Sequence, residues 1–162
     1  MGYYDTAQIC LNGHVINANV NEFPAHNATH CSKCGEPTIT QCPSCNTEIR
    51  GSHEAEGVAG LGREFQAPAY CHKCGKIYPW TEKRLLAAKQ LADGYDELSR
   101  DEKEKLKGTF DDLFRENAMT EIAGFRFKTI MTKVRKESYE AMKNIFTDIA
   151  SEAIKKFLFG PS

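Results

Sequence analysis

Cysteine is the residue type in this sequence whose spacing most directly predicts chemistry. The chain has 162 residues and seven cysteines, and six of them form the C-x-x-C pairs Cys31–Cys34, Cys42–Cys45 and Cys71–Cys74. The seventh, Cys10, precedes His14 in the short segment Cys-Leu-Asn-Gly-His. Thiolate and imidazole are the ligands that Zn²⁺ prefers, and four such pairs complete two tetrahedral sites. The sequence therefore predicts two structural zinc ions.

The order of the four pairs predicts how they combine. Residues 38–40 are Thr-Ile-Thr, and we interpret this β-branched run as a strand that connects two zinc ribbons. Sequential pairing then gives a first site of Cys10, His14, Cys31 and Cys34, and a second site of Cys42, Cys45, Cys71 and Cys74. Two alternatives stay open: a compact site made of the two middle pairs, with the outer pairs meeting, and a crossed arrangement.

The nitrogen ligand of the first site is less firmly predicted than the cysteines. His26 and His30 lie near the same cysteines, and His30 directly precedes Cys31. We prefer His14 because of its spacing from Cys10 and the glycine before it. His72 lies inside a knuckle whose cysteines already serve as ligands, so we expect it to be exposed.

Disulfide bonding, redox catalysis and iron binding fit the cysteines less well than zinc does. A disulfide framework needs an oxidising compartment, and the N-terminus carries no recognisable signal peptide. A thioredoxin-like redox site uses one C-x-x-C beside a βαβ pattern, which this sequence lacks. Iron is a lesser possibility, because three thiolates and an imidazole suit zinc better. No apolar run approaches the roughly 18 residues of a transmembrane helix. We therefore expect a cytoplasmic zinc protein.

Composition changes near Trp80. All seven cysteines and all five histidines precede it, whereas apolar and charged residues at helical spacing follow it. This predicts an α+β protein: a small double zinc ribbon of short β-hairpins over 1–80, and an all-α helical region over 81–162. The first part is too small to fold without a metal or another staple. Residues 51–68 are expected to form a mobile loop within the second site. Trp80 is expected to pack against Leu85 or Leu86.

About four helices are expected in the second half. Thr81 and Thr120 are candidate caps, and Ser99 begins a capping box with Glu102. The last helix is expected from about 138 to 159. It carries an apolar seam at spacings of about 3.5 residues, typical of a helix that packs on a partner helix. The seam consists of Met142, Phe146, Ile149, Ala153 and Phe157. It predicts self-association or a protein partner, and the alternative is core packing within the chain.

Charge disfavours nucleic acid as the partner. Residues 1–80 carry five basic and seven acidic side chains, a formal charge of −2. Seven thiolates and two Zn²⁺ ions add a further −3, so the metal-loaded half carries about −5. Nucleic-acid affinity comes mostly from Lys and Arg on phosphates. The one basic run, residues 126–136, is more typical of the solvated face of an amphipathic helix than of a nucleic-acid or lipid site.

Catalytic patterns are missing from the sequence. There is no nucleophile elbow, no phosphate-binding glycine loop and no paired-carboxylate motif. His53 and Glu54 lack the second histidine of a zinc protease motif. All eight predicted ligands close two structural sites, so we expect no enzymatic activity and no small-molecule substrate.

Short motifs along the chain resemble a known protein family. The clearest are Met1–Asp5, Gln8–Asn17, Cys31–Gly35, Thr38–Thr40, Cys42–Cys45, Ile49–Gly51, Pro68–Gly75 and Tyr78–Glu82, with looser similarity at Arg126–Lys128 and Asp148–Glu152. They are similar to a family of short bacterial proteins known as domain of unknown function 2321, which has zinc-ribbon cysteines. The resemblance implies a bacterial cytoplasmic protein with paired zinc knuckles, and it implies no activity.

Three functions are compatible with these patterns. The first is a non-enzymatic adaptor, whose zinc ribbons present a recognition surface and whose C-terminal helices mediate assembly. The second is a nucleic-acid-binding zinc-ribbon protein. The third is a small bacterial effector that acts on membranes through its C-terminal amphipathic helix.

Overall fold

The computed structural model describes residues 2–55 and 64–161, except for the side chain of Ile149. The chain divides into two compact units, Met1–Lys83 and Arg84–Ser162. Short strands and two Cys/His clusters make up the first unit, and helices make up the second, which confirms the predicted α+β class. Of the loop expected over 51–68, residues 51–54 belong to a strand, and residues 56–63 lie outside the described residues.

The first unit contains two small antiparallel sheets. Strands β1 (Tyr3–Thr6) and β5 (Arg50–Glu54) form one of them. The other has the order β3-β2-β4, from Val15–Asn17, Gln8–Cys10 and Thr38–Ile39. Strand β4 is the β-branched run expected between the ribbons. In this sheet Cys10 pairs with Thr38, which brings the first ligand close to the hairpin that carries Cys31 and Cys34.

The core of the first unit is small. Among the described residues, its fully buried apolar members are Ala7, Ile9, Ile49, Tyr78 and Trp80, together with two cysteines predicted as metal ligands, Cys42 and Cys71. The rings of Tyr78 and Trp80 stack with centroids 4.6 Å apart. The indole nitrogen of Trp80 donates a hydrogen bond of 2.8 Å to the carbonyl of Pro68. Two of these seven core residues are thus also candidate metal ligands.

Trp80 does not have the neighbours expected from the sequence. It lies in the core of the first unit, whereas Leu85 packs with the core residues of the second unit and Leu86 is 55% exposed. All three belong to helix α1 (Pro79–Asp93), in which residues five and six positions apart point about 140° and 120° away from each other. The prediction that Trp80 packs on Leu85 or Leu86 is therefore wrong.

The second unit consists of α-helices. After α1 come α2 (Arg100–Arg115), α3 (Thr120–Met131), α4 (Lys136–Ile149) and α5 (Glu152–Phe159). The capping box of Ser99 and Glu102 is confirmed at the start of α2. Thr120 begins α3, but its hydroxyl donates to the Asp112 carbonyl at 2.8 Å instead of capping the helix. Within the described residues, no helix is long and apolar enough to cross a membrane.

The single last helix expected over 138–159 is in fact two helices. The backbone of Ala150 is extended, with ψ of 150°, and ends α4. The hydroxyl of Ser151 then accepts a hydrogen bond of 3.3 Å from the backbone N–H of Ile154 and starts α5. Serine stabilises helix starts better than helix interiors, because its oxygen satisfies a free N–H group. The 3.6-residue pattern continues through this break, which explains why the sequence suggested one helix.

The apolar seam is split in the same way. Met142 and Phe146 are both 0% exposed and belong to the core of the second unit, so the seam prediction is wrong for these two. Phe146 packs against Phe110 and Phe127, with ring centroids 5.3 and 5.0 Å away. Ala153 is exposed and Phe157 is half-buried, while the side chain of Ile149 lies outside the described part. The spacing was thus set largely by the core of the chain itself.

Two glycines in helices differ in the space around them, so the same substitution should change the stability of the second unit in opposite directions. A Cβ atom on Gly124 would collide with Cε1 of the Phe157 ring, whereas one on Gly108 would meet no atom within 4 Å. Gly108→Ala should stabilise the second unit by about 0.5–1 kcal/mol, since alanine favours helix. Gly124→Ala should destabilise it by about 1 kcal/mol or more, because displacing the ring outweighs the helix preference. Urea unfolding followed by helical circular dichroism measures both, and equal stabilisation by the two variants would contradict the packing of α5 on α3.

Candidate metal centres

The three C-x-x-C segments fold into the same turn. In each turn, the backbone N–H of the first cysteine donates to the carbonyl of the residue five positions later. The residue after the second cysteine donates its N–H back to the carbonyl of the first. The bonds are Cys31 to Glu36 (2.9 Å) and Gly35 to Cys31 (2.8 Å), Cys42 to Thr47 (2.8 Å) and Asn46 to Cys42 (2.8 Å), and Cys71 to Lys76 (2.9 Å) and Gly75 to Cys71 (2.9 Å). The chain therefore contains three copies of one turn, which we call a knuckle and which is typical of zinc ribbons.

Each knuckle needs a residue with positive φ directly after its second cysteine. Gly35 and Gly75 supply it with φ of 76° and 71°. Asn46 takes the same place in the middle knuckle with φ of 60°. Asparagine is among the few residues other than glycine that adopt this conformation readily. Asn46 is not among the residues predicted to shape the sites, although its position directly after Cys45 carries the signal.

The fourth ligand pair lies on the turn between β2 and β3. Gly13 donates its N–H to the Cys10 carbonyl at 2.8 Å, and Cys10 donates its N–H to the His14 carbonyl at 3.0 Å. The N–H of His14 also lies 3.3 Å from the Cys10 sulfur, to which it donates. This turn points the sulfur and the imidazole to the same side, which the spacing of the two residues requires.

The first cluster brings together Cys10, His14, Cys31 and Cys34, whose ligand atoms lie within 4.8 Å of one another. Nδ1 of His14 lies 3.5 Å from the sulfur of Cys10 and 3.5 Å from that of Cys31. The sulfurs of Cys10 and Cys34 are 3.7 Å apart. Tetrahedral zinc with bonds of about 2.3 Å to sulfur and 2.0–2.1 Å to nitrogen requires separations of about 3.8 Å and 3.6 Å. The donor atoms therefore have the geometry that zinc requires.

The second cluster brings together Cys42, Cys45, Cys71 and Cys74. The sulfurs of Cys42 and Cys74 are 3.8 Å apart, and those of Cys45 and Cys71 are 3.7 Å apart. A disulfide needs about 2.0 Å, and all seven cysteines are free. The ligand pairs thus combine in sequential order, and both clusters could hold a metal ion. Each cluster supplies four donors, as a closed structural zinc site does.

The other four histidines, all among the described residues, contribute no ligand atom to either cluster. The exposed ring of His30 has its Nδ1 3.2 Å from the hydroxyl of Thr29, and His26 stacks on Phe23 with centroids 5.8 Å apart. His72 is exposed, as expected. His53 contacts the ring of Tyr4 edge-on at 4.8 Å. The structure therefore gives the nitrogen position of the first cluster to His14.

The pKa values of two thiols in the second cluster, Cys71 and Cys74, are shifted in opposite directions. The backbone N–H of Cys74 donates to the Cys71 sulfur and lowers its pKa to about 6. The N–H of Lys76 acts in the same direction on Cys74, but burial and the neighbouring thiols together outweigh it and raise the pKa of Cys74 to about 11. Sulfurs this close repel one another when ionised. A divalent cation between them removes that repulsion and stabilises all four thiolates, so the donor set suits a metal ion.

Comparison with known proteins places the chain in a family. The profile of DUF2321, described as an uncharacterized protein conserved in bacteria, matches residues 3–158. The match spans nearly the whole chain, and the protein therefore belongs to this family. No curated protein and no solved structure matches the chain.

Replacing single histidines tests the first cluster. His14→Ala should lower the zinc content measured by elemental analysis by about one ion per chain, because three thiolates leave the tetrahedron open. His14→Cys should restore most of the loss, since a fourth thiolate closes it again. His30→Ala is the matched control and should keep the wild-type content. A loss in His30→Ala with none in His14→Ala would transfer the ligand role to His30.

Proposed function

We propose that this member of the family is a non-enzymatic zinc-binding interaction protein, in which the zinc ribbons hold a recognition surface in place. The observation that carries the proposal is the closure of both clusters. A catalytic zinc keeps one position open for water or substrate, whereas each cluster here provides four protein donors around one point. Metal in such sites stabilises the fold and leaves recognition to the surrounding surface.

The sheet of β1 and β5 offers such a surface. Tyr3 and Tyr4 on β1 are 61% and 52% exposed. The guanidinium carbon of Arg50 lies 4.7 Å from the centre of the Tyr4 ring, and His53 contacts the same ring from the paired strand. Tyrosine and arginine are enriched in protein interfaces and among the residues that contribute most to binding. Tyr3, the exposed neighbour of Tyr4, points to the other face of the strand, because adjacent strand residues alternate between faces. We call Tyr3, Tyr4, Arg50 and His53 together the β1–β5 surface.

The β1–β5 surface also favours a second candidate function, which is binding of single-stranded nucleic acid. Exposed aromatic rings beside an arginine can stack on bases. The formal charge of the first half, about −5 with two zinc ions, opposes phosphate binding. A protein partner therefore fits the surface better than a nucleic acid.

The C-terminal helices offer less evidence of a partner-binding surface than the β1–β5 surface does. Burial of Met142 and Phe146 removes the basis for assembly through an apolar seam on the last helices. In α5, Ile154 and Leu158 are 5% exposed, so the apolar face that could act on a membrane is used within the unit. The proposal therefore places recognition on the first unit.

Removing the exposed tyrosines tests this function. The immobilised 162-residue chain with Tyr3→Ser/Tyr4→Ser should capture at least about tenfold less of the proteins that wild type captures from a bacterial lysate, because exposed aromatic anchors supply much of the binding energy. Mass spectrometry quantifies the capture. Leu86→Ser, which removes another exposed apolar side chain, is the matched control, and zinc content should stay the same in all three proteins.

Two results would contradict this function. One is equal capture by wild type and the tyrosine variant at equal zinc content. The other is a gel shift of single-stranded DNA or RNA that weakens with salt and is lost in Arg50→Gln, which would favour the nucleic-acid function instead.

A further inference from the structure

A groove of about 680 Å³ runs along the surface of the second unit between α2 and α3. Its volume lies within the range of about 300–1,000 Å³ that is typical of small-molecule sites. Helix α2 contributes Lys105, Gly108 and Asp112, and the other side is formed by Met119, Ala123 and Arg126. The groove is far in sequence from both metal clusters and plays no part in the function proposed above.

The floor of the groove is apolar and open at its middle. Ala123 is 3% exposed and forms part of this floor. Opposite it, Gly108 has no side chain, and a Cβ atom there would meet nothing within 4 Å. Met119 and Phe125 line the groove although they remain 43% and 58% exposed. An apolar ligand in this unfilled space would cover the exposed apolar side chains beside it.

The charges of the groove are separated along its length. Helices α2 and α3 run antiparallel, because Thr120 bonds to Asp112 at one end and Lys133 pairs with Glu102 at the other. Lys105 and Arg126 therefore lie towards the end at which Lys133 pairs with Glu102. Asp112 lies at the opposite end, where it bonds to Thr120. The seven-residue step from Lys105 to Asp112 corresponds to about 10 Å of helix.

The two cations are available to a ligand. Within the described part of the chain, neither Lys105 nor Arg126 has a hydrogen bond or an ion pair, and both side chains are exposed. Asp112, in contrast, accepts a hydrogen bond of 2.9 Å from the side-chain amide of Asn117. An anion is thus attracted to one end of the groove and repelled from the other.

We propose that this groove binds a small amphipathic anion, with a carboxylate head between Lys105 and Arg126 and an apolar chain lying over Gly108 and Ala123 towards Met119. A medium-chain aliphatic carboxylate has this combination of head and tail. The charge separation gives the ligand one orientation, and the unfilled space at Gly108 gives its chain room.

Octanoate and octan-1-ol form a matched pair of probes for the full-length zinc-loaded protein. They share the apolar chain and differ in the charge of the head. Octanoate should shift the backbone amide signals of residues 105–112 and 119–130 in nuclear magnetic resonance spectra, and it should bind more tightly than octan-1-ol. In Lys105→Gln/Arg126→Gln the affinity for octanoate should fall about threefold to tenfold, as expected for two exposed charge contacts, while that for octan-1-ol stays the same.

Filling the groove provides the decisive variant. Gly108→Gln should fold, since there is space for its side chain, and should lose binding of both probes. Arg100→Gln/Lys136→Gln removes the same number of cations outside the groove and should bind octanoate like wild type. Undiminished binding by Gly108→Gln, or octanoate shifts elsewhere in the chain, would overturn the proposal. A dimeric wild type that Gly108→Gln converts to a monomer would also overturn it and would make the groove an interface between two copies.

Discussion

Mutual repulsion among closely spaced thiolates is the constraint on which the first unit depends. Sulfur atoms 3.7–3.8 Å apart come from knuckles that are distant in sequence, and they can all ionise only around a cation. The apolar core around them is too small to enforce this proximity, because in the described part of the unit it has seven buried residues, and two of these are candidate metal ligands. Structural zinc contributes about 10–16 kcal/mol in small domains, more than such a core supplies. We therefore propose that metal coordination determines the positions of the strands that the two clusters connect.

Polar contacts connect strand β1, which carries part of the β1–β5 surface, to the rest of the first unit. Asp5 on β1 is 4% exposed and accepts hydrogen bonds of 3.1 Å from the N–H groups of Asn21 and Glu22. Burial raises the pKa of this carboxyl, but the backbone N–H groups around it outweigh burial and lower it. The ionised carboxylate thus holds strand β1, which carries Tyr3 and Tyr4, against the segment of Asn21 and Glu22 that follows β3. A surface held in this way presents its aromatic side chains with little loss of backbone entropy on binding.

The metal clusters could be predicted from the sequence because coordination chemistry fixes spacing. Sequential pairing of the C-x-x-C segments and the choice of His14 follow from ligand number and short loops, and the structure brings all eight residues together in that order. The packing of the helices was harder to predict from the sequence. Apolar periodicity shows which face of a helix is covered, but not whether the same chain or a partner covers it. Met142 and Phe146 have the spacing of an interface seam and lie in the core, and Ser151 interrupts the pattern without changing its period. Tyr4 and Arg50 could not be paired from sequence, since they meet only across the β1–β5 register.

Removal of zinc tests most directly whether coordination holds the first unit together. Trp80 is the single tryptophan of the chain, it is 2% exposed, and it lies in the same core as Cys42 and Cys71. Protein purified under reducing conditions should contain two zinc ions per chain. A chelator that removes them should shift the Trp80 fluorescence to that of an indole in water, while the helical circular dichroism of the second unit largely persists. A buried Trp80 signal after complete zinc loss, or a freshly purified chain with one zinc ion or none, would contradict this account.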